Sequence, residues 1–267
     1  MIEQIIVTRW ASMIINEKLI IPGLDCERTC SIFLPPGYDS STDRRYPVLY
    51  MHDGQNLFVE RGREQWEVDV ALSMPGAPDL IVVGIHHGGN ERLNELNPWF
   101  LEEHQFGGKG NEYLEFIVQV LKPFIDERYR TIRGRLHTAM AGSSLGGYMS
   151  IYASIKYPEV FGKVLAMSNA LWHDQGRLLE MIKTNRLNDP LKIYMDTGEK
   201  ESDNPDFNVQ TVADHYELKN QLLHHGVKND LLKFVLDSEG VHNEIHWRKR
   251  FPSAIKWLFG NNEIFLS

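Results

Sequence analysis

Short runs rich in β-branched and aromatic residues alternate along this 267-residue chain with stretches whose apolar positions recur at helical spacing. That alternation predicts βα units around a largely parallel sheet. Strands are expected over residues 3–10, 12–16 and 29–34, the last closed by Pro35-Pro36-Gly37-Tyr38-Asp39, and these would form an antiparallel edge. Val48–His52 and Ile81–Ile85 are compact apolar runs followed by the turn signals Asp53-Gly54 and Gly88-Gly89-Asn90. Such runs suit strands buried on both faces. Further strands are expected over 136–141, 163–167, 191–195 and 231–236.

Between the strands, residues 64–72 read as a helix stopped by Pro75-Gly76. Over 111–129 the residues Tyr113, Leu114, Phe116, Ile117, Val120, Leu121, Phe124 and Ile125 line one helical face, and Pro123 predicts a kink. Helices are also expected over 145–156, ended by Pro158, over 209–225, capped by Gly226, and over 245–259. About eight strands and their crossovers use up the chain without a Pro/Gly/Ser-rich linker, which favours one domain over residues 1–267 and leaves no separate lid domain. The longest irregular stretch, 84–110, is the expected source of any cover over a site.

Composition changes this picture little. The chain is 42% apolar and 24% charged, which is ordinary globular usage, and it has no collagen-like period or low-complexity tract. With 28 Lys and Arg against 36 Asp and Glu, the net charge is −8. No basic 5–8-mer gathers the cations, and Arg248-Lys249-Arg250 is better read as a solvated helix face, so no nucleic-acid partner is expected. Cys26 and Cys30, four apart, match neither a redox pair nor half of a zinc site and read as free thiols. Neither a secretory signal nor an apolar run of membrane-spanning length is evident. The expectation is a soluble cytoplasmic protein with no membrane partner and an open question of homo-oligomerisation.

The chemistry concentrates at Gly142-Ser143-Ser144-Leu145-Gly146, a G-x-S-x-G pattern between an expected strand and an expected helix. A sharp strand-to-helix turn would hold Ser144 above the sheet, with glycines where the backbone passes close. The bland alternative is a small-residue turn in which Ser144 caps the helix. A serine hydroxyl needs a base to take its proton and an acid to orient that base, in the chain order Ser, Asp or Glu, His. His242 lies after the last strand and immediately before the closing helix, whereas His246 falls inside the helical pattern. For the acid, Asp196, Glu201 and Asp203 all follow the strand at 191–195, and Glu201, three residues past Gly198, is preferred. Backbone N–H groups of Leu145, after the nucleophile, and Gln55, after Gly54, are the expected oxyanion donors. Trp99, Trp172 and Phe58 are candidate pocket aromatics, although aromatic residues are as often core.

These residues resemble the putative-esterase family of α/β-hydrolases, the esterase D-like and enterochelin-esterase-like group. The likeness rests on Tyr46-Pro47-Val48-Leu49-Tyr50-Met51-His52-Asp53-Gly54-Gln55-Asn56-Leu57-Phe58, Ala141-Gly142-Ser143-Ser144-Leu145-Gly146-Gly147, Tyr157-Pro158-Glu159-Val160-Phe161-Gly162 and Gly240-Val241-His242-Asn243-Glu244, and it runs over most of the chain. The resemblance implies an α/β-hydrolase fold and a metal-free, cofactor-free serine mechanism on small carboxylic esters. It implies Ser144 as nucleophile, His242 as base and Glu201 as acid, where many relatives carry Asp. Three activities are then expected to compete: hydrolysis of short-acyl or aryl esters, an acyltransferase or S-formylglutathione hydrolase-type reaction on the same triad, and inert ligand binding on a hydrolase fold.

Overall fold

The computed structural model describes residues 13–40, 42–59, 65–174, 176–187 and 190–260; the strand expected over 3–10 lies outside them. Strands β1 (Met13–Ile21) and β2 (Cys26–Leu34) form an antiparallel hairpin, longer than the sequence pattern marks. There follow β3 (Val48–His52), α1 (Val68–Ser73), β4 (Ile81–Ile85), α2 (Arg92–Glu95), the short β5 (Phe100–Leu101) and β6 (Phe106–Gly107), α3 (Gly110–Phe116) and α4 (Lys122–Arg128). The second half contains β7 (Thr138–Ser143), α5 (Leu145–Lys156), β8 (Lys163–Met167), α6 (Arg177–Thr184), β9 (Lys192–Lys200), α7 (Pro205–His224), β10 (Leu232–Val241) and α8 (Glu244–Phe259).

Among the described residues, eight strands make one sheet in the order β1-β2-β4-β3-β7-β8-β9-β10. Only β1–β2 and β2–β4 are antiparallel; every pair from β4 across to β10 is parallel. Strand alternation sends alternate side chains to opposite cores. Met140, Val164 and Ile193 face a core shared with α3, α5, α6 and α7, while Leu49, Ala141 and Leu165 face Val68 and Leu72 of α1 and Trp247, Phe251 and Ile255 of α8. This is the expected α/β architecture, with helices on both faces.

Three departures from the sequence pattern bear on the site. First, β9 runs on through Asp196-Thr197-Gly198-Glu199-Lys200, five residues past the expected end, because β10 supplies backbone partners along it and β8 a last one at Asp196. Asp196 is therefore inside a strand, not at its end. Second, the helix over 110–128 is continuous but passes through a π-helical turn, Ile117–Leu121, just before Pro123. Proline cannot donate to the carbonyl four residues back, and the wider turn absorbs that missing bond.

Third, residues 84–110 are not irregular: they hold a 3-10 turn, α2 and the β5–β6 ribbon. The anchor is an ion pair between Arg28 on β2 and Glu95, whose side chains are only 2% and 3% exposed. Two charge-assisted bonds of 2.7 and 2.8 Å join them, and Arg28 also donates to the His86 carbonyl. Gly88 is required beside this pair, since a Cβ there would lie 2.8 Å from the Glu95 carboxylate. Glu95→Ala would leave Arg28 buried and unpaired, and an equilibrium urea titration is expected to show a loss of about 3–5 kcal/mol.

Candidate active site

The parallel strands end on one side of the sheet, and β7 delivers Ser144 there. Ser144 has φ 55° and ψ −125° between the last residue of β7 and the first of α5, and its side chain does not cap α5. The capping alternative therefore falls. Its N–H donates to Met167 O at 3.0 Å, and its carbonyl accepts from the N–H groups of Tyr148 and Ala170. A Cβ on Gly142 would lie 2.7 Å from the Gly146 carbonyl carbon, so the motif glycines are required by contact.

His242 sits in the connection between β10 and α8, where Asn243 caps the helix through a bond from His246 N. The His242 Nδ1 lies 2.5 Å from Glu201 Oε2. Glu201 follows β9 directly and is buried; its Oε1 accepts from Ser168 Oγ at 2.7 Å and Gly198 N at 2.5 Å. Burial alone would raise the Glu201 pKa, but the bonds from His242, Ser168 and Gly198 hold it below the ordinary carboxylate value.

The other candidate acids are elsewhere. Asp196, fully buried, pairs with Arg250 Nε at 3.1 Å, and burial pushes it up to about 6 against the pull of Arg250. Asp203 is exposed on the turn before α7. His246 lies within α8.

Ser144 and His242 line one cleft of about 320 Å³. Its walls come from His52, Asp53 and Asn56 after β3, from Trp66, from His87 and Arg92, and from Glu244 and Trp247 on α8. Leu145 opens α5, so its N–H has no acceptor within the helix. Gln55 lies in the 3-10 turn Gly54–Asn56, with its side chain turned away to accept from His87 N. Gly54 makes that turn feasible, because a Cβ there would sit 2.3 Å from the Gly84 carbonyl carbon.

The aromatic expectations need correction. Trp172 is exposed and meets the His242 ring edge-on, with centroids 5.9 Å apart, so it flanks the site. Trp99 instead packs against Tyr148 and Tyr152, and Phe58 is buried and stacked on Phe33. Neither lines the cleft, because both serve helix and sheet packing. The indoles that do line it, Trp66 and Trp247, were not singled out by the sequence pattern.

A second unanticipated feature is the Asp53–Arg92 pair, bidentate at 2.6 and 2.8 Å. Its partners are remote in sequence and carry no spacing signal. Among the described residues, no group of three or more His, Cys, Asp or Glu could hold a metal ion, and no helix is long and apolar enough to cross a membrane.

The strand order, with a serine on a left-handed elbow between β7 and α5, defines an α/β-hydrolase. Residues 21–258 match the family model described as "Putative esterase", and the chain belongs to that family. It is 30% identical over 247 residues to the uncharacterized protein YbbA of Bacillus subtilis, covering 88% of this chain and 94% of that one. It is 27% identical over 223 residues to the iron(III) enterobactin esterase of Escherichia coli K12, covering 79% of this chain but 48% of that longer protein. Among solved structures, the siderophore hydrolase EstA of Aspergillus nidulans superposes with a TM-score of 0.75 at 19% identity, covering 93% of this chain and 94% of that one. The protein is an esterase, and the inert-binding alternative is set aside.

His52 on the cleft wall is buried and bonded through Nδ1 to the Tyr113 hydroxyl at 2.9 Å. Burial lowers its pKa from 6.5 to about 4. The unfolded chain therefore takes up this proton near pH 6.5, whereas the folded protein refuses it until about pH 4. Stability must fall as pH drops through that window, by roughly 3 kcal/mol in total from this one group. In denaturant titrations, His52→Asn should flatten the fall by about 1.4 kcal/mol per pH unit; wild-type and variant slopes that coincide would refute the assignment.

Proposed function

We propose that the protein is a single-domain serine carboxylic-ester hydrolase in which Ser144 is the nucleophile, His242 the base and Glu201 the acid. The observation that carries this reading is the 2.5 Å Glu201–His242 contact beside a cleft that the left-handed Ser144 also lines. Ser144 Oγ adds to the ester carbonyl carbon as His242 Nε2 takes its proton. The carbonyl oxygen becomes an oxyanion facing the N–H groups of Gln55 and Leu145, the latter at the positive end of α5. Collapse expels the alcohol, which takes the proton from His242 and leaves an acyl group on Ser144. Water then attacks with His242 again as base, releasing the acid and restoring the serine.

The cleft favours compact, polar substrates. Its walls carry Asp53, Arg92, Glu244 and two histidines, and among the described residues its apolar lining is Trp66 and Trp247. A long alkyl chain would strip water from those polar groups without replacing its hydrogen bonds, whereas a short acyl or aryl group bearing hydrogen-bonding substituents would replace them. Siderophore and ferulic acid esterases among the relatives and structural neighbours support carboxylic esters of that kind.

Ser144→Ala should lower turnover of p-nitrophenyl acetate by about four orders of magnitude or more and abolish labelling by a fluorophosphonate. Retained turnover or labelling would sink the assignment. Among the acids, Glu201→Gln is expected to lose about 10³-fold in kcat, while Asp196→Asn loses stability but less than about tenfold in kcat. The reverse ranking would move the acid to Asp196. Across an acyl series, acetyl and aryl esters should outpace octanoyl esters at equal concentration.

A further inference from the structure

Behind the Glu201–His242 pair lies a second layer of polar side chains. Ser168 follows β8 directly, has a left-handed backbone (φ 46°) and is 1% exposed. Its Oγ lies 2.7 Å from Glu201 Oε1, 3.0 Å from Trp247 Nε1 and 3.0 Å from Arg250 Nη2. Indole and guanidinium nitrogens only donate, so these two bonds occupy both lone pairs of the hydroxyl. Its single proton is then directed onto Glu201 Oε1, which also accepts the Gly198 N–H.

This arrangement decides where the proton of the acid–base pair resides. Oε1 receives donors only, so a carboxyl proton could sit only on Oε2, against His242 Nδ1. The guanidinium of Arg250, one hydroxyl away, disfavours the neutral carboxyl. The proton therefore stays on Nδ1, and Nε2 keeps its lone pair. The other titratable groups facing Glu201 do not disturb this balance. Asp196 on β9 and Asp237 on β10 both bind Arg250, at 3.1 and 3.0 Å. His215 on α7 is neutral: its Nε2 accepts from Asn169 N at 3.1 Å while Nδ1 bonds Thr211 O at 2.7 Å.

We propose that Ser168 is a positioning residue of this esterase: clamped by Trp247 and Arg250, it directs its hydroxyl proton onto Glu201 and so holds His242 in the tautomer whose Nε2 can accept from Ser144. The proposal rests on the triad reading above. It also gives Asp196 a function, since that carboxylate orients the guanidinium that helps lock Ser168.

The test compares the full-length protein with Ser168→Ala and Ser168→Gly, the latter compatible with the left-handed backbone, so that a loss common to both belongs to the hydroxyl. Without the hydroxyl, the Glu201 charge is less stabilised and holds the imidazolium more tightly. The acid limb of the kcat/KM profile on p-nitrophenyl acetate should then move up by about half a pH unit or more, with kcat down about tenfold and KM within about twofold. Adding Ser168→Ala to Glu201→Gln should cause no further loss. An unmoved acid limb in folded variants, or an additive loss in the double variant, would overturn the role. ¹⁵N NMR of histidine-labelled wild type, with the signal assigned through His242→Gln, provides a check independent of variant folding. The expected pattern is a protonated Nδ1 and a bare Nε2, and the opposite tautomer would overturn the proposal. Full activity of Glu201→Gln would instead refute the triad itself, whereas an inactive Glu201→Gln beside wild-type-like Ser168 variants would refute only the role of Ser168.

Discussion

The backbone conformation of Ser144 is the constraint on which the rest of the site depends. A non-glycine residue held at φ 55° and ψ −125° is strained by about 1–3 kcal/mol and persists only where its surroundings over-determine it. Here the surroundings are the end of β8 and the loop that follows it. The Ser144 N–H is taken by Met167 O, and its carbonyl by Ala170 N. Those two bonds bracket Ser168, the residue that contacts Glu201, Trp247 and Arg250. The bonds that hold the elbow thus also fix the loop that contacts Glu201, so Ser144 and Glu201 share one frame although they lie on different strands.

Two buried carboxylates near each other show how partners decide charge. Both lose hydration, which raises the pKa of each. Glu201 gathers donors from His242, Ser168 and Gly198 and is held down, while Asp196 is pushed up despite Arg250. Along the layer the charges alternate: Asp196 and Asp237 surround Arg250, Arg250 faces Glu201 through Ser168, and Glu201 faces the imidazole. A buried charge without such a neighbour would be strongly destabilising, and the alternation permits an ionised carboxylate beneath His242.

The sequence made the elbow and the His242 position legible for local reasons. The glycines of G-x-S-x-G report close backbone approach at Ser144, and His242 falls between a β-patterned run and an amphipathic helix. Preference for Glu201 over Asp196 came from chain distance past Gly198, and the geometry brings Glu201 rather than Asp196 to His242. What stayed hidden was set by partners remote in sequence. Asp196-Thr197-Gly198-Glu199-Lys200 has no apolar alternation, and pairing to β10, with β8 at Asp196, makes it strand. Arg28 and Glu95 turn residues 84–110 from an apparent loop into a packed segment. Trp99 and Phe58 differ from Trp66 and Trp247 in direction rather than in residue type, and direction is fixed by packing.

The division of labour in the sheet explains why fold and chemistry are easier to read than substrate. The residues read as catalytic are held by β7, β9, β10 and α8, through backbone pairing and buried ion pairs. The cleft walls come from the turn after β3, from Trp66, from the segment around Arg92 and from Glu244 and Trp247 at the start of α8. That segment is tied to the sheet by Arg28 and Glu95, which lie outside the cleft lining. Asp53 meets Arg92 within the cleft, so much of the wall's charge is already paired before a substrate arrives. Apart from Trp247, which belongs to both, substitution in the walls can change selectivity while the elbow and its supporting layer stay fixed, consistent with one family including esterases named for different esters.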